Sequence, residues 1–119
     1  ILAPGLIDLY SHSGEPGFED RETLTSLSEA AIAGGFTRLN LLPDTNPALD
    51  TPSTVSWLRS RTDARIKAWG ALTIDIKGQQ MTELVELAEA GIVGFADGHP
   101  ISNLTLIRRI LEYAQPLNT

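Results

Sequence analysis

Cysteine is absent from the 119 residues, which removes any disulfide framework and any thiolate nucleophile or metal ligand. A reducing cytoplasm is the compartment we expect from this composition. No apolar run approaches the ~20 residues needed to span a bilayer, and no basic-then-apolar leader opens the chain. Positive charge is also scarce: nine Lys and Arg stand against 15 Asp and Glu, a formal net charge of −6. We therefore expect neither nucleic acid nor a membrane surface as a partner, since either would select a basic patch. No G-x-G-x-x-G surrounds Gly34-Gly35, so these glycines read as helix termination and not as a phosphate cradle. The first residue is Ile1 and not Met, so the chain is expected to begin inside a longer gene product.

What remains is ordinary for a globular protein, with 42% hydrophobic and 20% charged residues and length enough for one modest core. Four apolar runs of strand length alternate with stretches of helical period. The runs are Leu6–Leu9, Arg38–Leu42, Arg65–Leu72 and Gly91–Phe95. The spacing predicts a first helix over about 21–33, ended by Gly34-Gly35. Thr51 is placed to cap a second helix, and Pro52 suits its first position, where a backbone N–H would be unpaired anyway. Trp57 and Leu58 are expected to face the sheet. In a third helix Met81, Leu84, Val85 and Ala88 form an apolar stripe, with Glu83, Glu86 and Glu89 outward. A fourth starts near Ser102 or Asn103, turns Leu104, Ile107, Ile110 and Leu111 inward, and stops at Pro116. Strand–helix alternation implies an α/β fold of parallel strands with helical crossovers.

The loop after the first run reads Asp8-Leu9-Tyr10-Ser11-His12-Ser13-Gly14-Glu15-Pro16-Gly17. It resembles the D-x-H-x-H-x-R-x-P-G that ends the first strand of cyclic amidohydrolases, dihydroorotase in particular. Three further segments, in order, are similar to that family: Ala31-Ile32-Ala33-Gly34-Gly35-Phe36-Thr37, Leu42-Pro43-Asp44-Thr45-Asn46-Pro47, and Gly94-Phe95-Ala96-Asp97-Gly98-His99-Pro100. The last is one residue shorter than the family's A-F-x-D-D-G-x-P. Arg108-Arg109 with Leu111-Glu112-Tyr113-Ala114 resembles the helix that follows. The resemblance implies a TIM-type (β/α)₈ barrel, which takes roughly 250 residues. Residues 1–119 then correspond to its N-terminal half, a (β/α)₄ unit, and the family would enter its fifth strand near Pro116.

The resemblance also implies a reaction, zinc-dependent hydrolysis of the ring amide of dihydroorotate in pyrimidine biosynthesis. Metal-bound water becomes acidic near neutrality, the metal polarises the carbonyl, and a carboxylate handles the proton. On the matching positions, His12 and Asp97 are the metal-ligand candidates, Asp97 is also the catalytic carboxylate, and Asn46 is a substrate-binding residue. His99 is an alternative ligand, because the deletion leaves the register of Asp97 open. Three family positions are changed. Tyr10 replaces a histidine, and a phenol with pKa near 10 is a poor substitute for neutral imidazole. Gly14 replaces an arginine that would bind a carboxylate bidentately. Asp44 replaces an asparagine that serves the same carboxylate. Two carboxylates about 4 Å apart repel by on the order of 4 kcal/mol at an effective dielectric of about 20. With at most two or three ligands in place, zinc is implied by the family yet not expected to be held by this chain alone.

Structural roles compete at each position: Asp8 ordering its loop, His12 packing, Tyr10 lining a rim, Asp44 and Asn46 forming an Asx turn. Three readings follow, one of them a bare fragment with no function of its own. In the second, the chain is a fragment of a dihydroorotase-like hydrolase, inactive by itself. In the third, it belongs to a non-catalytic paralogue acting as a scaffold, whose partners would be an active dihydroorotase or another pyrimidine-pathway enzyme. Half a barrel also leaves sheet edges unpaired. The remainder of its own barrel, or a second copy, is therefore expected against strands one and four.

Overall fold

A computed structural model describes residues 1–118. Three strands, β1 (Leu6–Ser11), β2 (Phe36–Leu41) and β3 (Ile66–Ala68), form a parallel sheet in the order β1-β2-β3. Helices α1 (Leu24–Ala33), α2 (Pro52–Arg61), α3 (Leu84–Glu89) and α4 (Leu104–Ala114) alternate with them. The fold is α/β, the arrangement expected of half a barrel. None of the helices among the described residues is long and apolar enough to cross a membrane.

The expected fourth strand lies beside β3 but forms a single parallel bridge, Gly70 with Phe95. Val93 N–H donates to the Ala68 carbonyl at 2.9 Å, and Gly70 N–H to that of Gly94 at 2.9 Å. A Cβ on Gly94 would stand 2.5 Å from the Trp69 ring, so this close approach requires glycine. The regular ladder of β3 also ends early. Trp69 N–H still reaches Leu41, but Ala71 N–H turns away to the Leu49 carbonyl, in the loop after β2.

Local chemistry explains the helix ends. Thr23 and Ser26 make a reciprocal capping box, which starts α1 at Leu24, three residues later than the pattern predicts. Gly35 ends it in the left-handed region at φ 82°. Thr51 caps α2 with Pro52 in the first turn, as expected. Asn103 caps α4 through its side chain, which accepts from Leu106 N–H at 3.1 Å.

The main core lies between the sheet and the first three helices, where Leu39, Leu41, Leu49, Val55, Leu58, Ile66 and Leu87 are buried together. Two apolar faces differ from expectation. In α3, Leu84 and Leu87 point inward while Val85 is 53% exposed. Met81 lies outside the helix, bridged to Thr73, yet it is half-buried against the cluster that holds Leu84, and Ala88 is half-buried, so the expected stripe misses at Val85, whose place Leu87 takes. The three glutamates do face solvent. In α4, Leu106 and Ile110 pack on Leu84, and Ile107 is half-buried. Leu104 and Leu111, seven apart on the flank, are exposed. Leu111 borders an apolar cleft shared with Trp69, Val93 and Phe95.

Candidate functional site

In a parallel sheet the loops that leave the strands at their C-terminal ends share one edge, where barrel enzymes place their chemistry. Tyr10 lies at the end of β1 with His12 and Gly14 just after it, Asp44 and Asn46 follow β2, and Asp97 and His99 follow the fourth extended segment. The first two loops are welded together. Leu42 N–H donates to the Ser11 carbonyl at 2.8 Å, and Asn46 N–H to that of Pro16 at 3.0 Å. Gly17, at φ 100°, lies against Asn46 so closely that a Cβ there would stand 2.6 Å from the Asn46 Cβ.

The shortest polar link across these loops is between His12 and Asp44, Nδ1 to Oδ2 at 2.6 Å. Asp44 and His12, 32 residues apart, thus pair across the two loops. The other oxygen, Asp44 Oδ1, is buried without a hydrogen bond, and so is Asn40 Oδ1 on β2. The Tyr10 ring stands edge-on to His12, centroids 5.7 Å apart and planes at 88°. Tyr10 also approaches the fourth loop, its hydroxyl lying 3.9 Å from where a Gly98 Cβ would be. Asp8 orders the start of the loop by accepting from Tyr10 N–H at 2.9 Å. That bond, with a smaller contribution from the Ser11 hydroxyl, holds its carboxyl below the ordinary aspartate value.

Gly14 is closely packed by backbone. A Cβ at this position would lie 2.4 Å from the Glu22 carbonyl oxygen and 2.8 Å from that of Phe18. Backbone fills the space where a side chain would begin.

Asp97 has partners that the sequence reading did not foresee. It is 3% exposed, and both of its oxygens are committed. Oδ1 accepts from Leu72 N–H at 2.7 Å and Thr73 N–H at 3.0 Å, and Oδ2 accepts from the Thr73 hydroxyl. Thr73 Oγ1 accepts in turn from Gly78 N–H at 2.9 Å. The pair ties the fourth loop to the 73–82 loop, in which Asp75 and Ile76 both take positive φ. Thr73, fully buried, is the residue sequence reasoning missed. Its one signal is a hydroxyl directly after the apolar Ala71-Leu72.

His99 and Asn46 are exposed. Among the described residues no three His, Asp or Glu side chains converge as a metal site requires. The donors here do not fit zinc by themselves: His12 offers one nitrogen, the Asp97 oxygens are spent on N–H and O–H donors, and Tyr10 brings a phenol.

A family model described as dihydro-orotase-like matches residues 1–106. A protein of Synechocystis sp. named as a probable dihydroorotase-like protein is 42% identical over 95% of this chain, which covers 31% of that relative. Proteins named dihydroorotase from Pelotomaculum thermopropionicum and Syntrophotalea carbinolica are 39% and 38% identical, over 96% and 97% of this chain and 28% of each relative. The chain thus spans less than a third of the length of the relatives it matches.

Proposed function

The chain belongs to the dihydroorotase-like family, and from that premise we propose that it forms the first half of a barrel used for assembly in pyrimidine synthesis, without hydrolysing dihydroorotate itself. The observation that carries this reading is the packing at Gly14. An enzyme of this family needs a cationic fork for the substrate carboxylate, and here backbone occupies its root. Asp44 adds a negative charge where that carboxylate would lie, and Asp97 is consumed in holding a loop. The chemistry named for its relatives is therefore not carried by these residues.

The exposed apolar side chains mark a surface that further chain would cover. Leu6, Ile7, Leu9 and Tyr10 are all more than half exposed, so β1 is uncovered on both faces, and Leu104 and Leu111 are uncovered on α4. Such surface rarely stays bare. The remaining two-thirds of a relative's length is enough to cover it as the other half of the barrel. A cytoplasmic setting suits both the pathway and the absence of cysteine. The competing reading, a working hydrolase completed by residues outside this chain, is favoured by the position of His12 and by the name dihydroorotase that relatives 38–39% identical carry.

The test is an assay of the purified whole protein with dihydroorotate, with added zinc and with a chelator. We expect no turnover above buffer in either condition. Zinc-dependent turnover abolished by the chelator would refute the proposal.

A further inference from the structure

We propose that Asp44 is a positioning residue that fixes His12 in the tautomer protonated at Nδ1, leaving Nε2 as the nitrogen this site presents to a ligand. An ionised carboxylate has no proton to give, so at 2.6 Å the hydrogen between the two groups must sit on His12 Nδ1. A neutral imidazole carries only one N–H, so Nε2 keeps its lone pair. Histidine's tautomer is set by the bond the other nitrogen makes, and a carboxylate on Nδ1 is the arrangement that makes Nε2 a good ligand or base.

The residue type at position 44 decides the matter. An asparagine there meets Nδ1 with either its carbonyl or its amide group, and so permits both tautomers. A carboxylate permits one. The Tyr10 ring, edge-on at 5.7 Å, limits swinging of the imidazole, whose side chain is otherwise 64% exposed. Asp44 is held in turn between loops tied by backbone bonds at Leu42 and Asn46. The exchange that removes an anion-binding amide thereby installs an orienting carboxylate. This inference does not rest on the proposed function, because the tautomer is set whether or not the barrel hydrolyses anything.

The decisive experiment is long-range ¹H–¹⁵N spectroscopy of the whole protein labelled with ¹⁵N-histidine. It is run near pH 8.5, well above the ordinary histidine value of about 6.5. The His12 signals are assigned by their loss in His12→Gln. The wild-type protein should show a proton-bearing Nδ1 and a bare Nε2. In Asp44→Ala and Asp44→Asn the Nε2–H form, which neutral histidine favours in water, should become a substantial or major population. Since the wild-type spectrum decides by itself, poor folding of a variant leaves the question answerable. A wild-type His12 carrying its proton on Nε2, or on both nitrogens, overturns the proposal.

Discussion

Single residues of the candidate site make contacts that the sequence does not announce. Asp97 illustrates this best: its place in the sequence reads as a ligand, and only the coordinates show two N–H groups and a hydroxyl spending both oxygens. Asp97→Asn loses an ionised acceptor and sets an amide group against a hydroxyl. It should destabilise by roughly 1–3 kcal/mol, read by urea denaturation, with faster hydrogen exchange at the Leu72 and Thr73 amides. Gly14→Arg should lower the melting temperature and restore no activity, because its Cβ meets backbone and not a yielding side chain. Stable folding together with gained dihydroorotate turnover would show that the loop has room after all. Asp8, held below the ordinary aspartate value chiefly by Tyr10 N–H, contributes stability that is present above about pH 4 and lost as acid protonates it. Its NMR titration midpoint should therefore lie below that of Asp8 in an unfolded fragment.

At the level of elements, most of the fold was legible and the phases of two helices were not. Thr51-Pro52 and Gly34-Gly35 mark helix ends by local chemistry, which acts whatever the surroundings, and both are found where expected. The α3 stripe held at Leu84 and, half-buried, at Met81 and Ala88, but missed at Val85, because the helix is only six residues long and Leu87 faces the core instead. Leu104 and Leu111 were expected inward since they are apolar, yet sequence does not tell which face a neighbour in the same chain will cover. The site was legible in outline for a related reason. Strand ends fix where the loops lie, whereas hydrogen bonds such as Thr73 to Asp97, 24 residues apart, depend on how the loops close. Leu87→Ala should cost about 2–5 kcal/mol by leaving a cavity, and Val85→Ala about 0.5 kcal/mol or less. Equal costs in denaturation would mean that the observed helix phase is wrong.

On the scale of the whole molecule, the sheet's two flanks give the chain its character. β1 carries exposed apolar side chains on both faces and has no neighbour on its outer side among the described residues, and Leu104 and Leu111 are exposed on α4. In the loops between these flanks backbone packs against Gly14 and Asp44 pairs with His12, and on the proposed reading this leaves no clamp for a carboxylate. Calorimetric titration of dihydroorotate into the zinc-supplemented whole protein tests that account most directly. The account predicts no saturable heat. Saturable binding that is lost when the ligand's carboxylate is replaced by a neutral amide would contradict it, since the site would then still hold a carboxylate clamp.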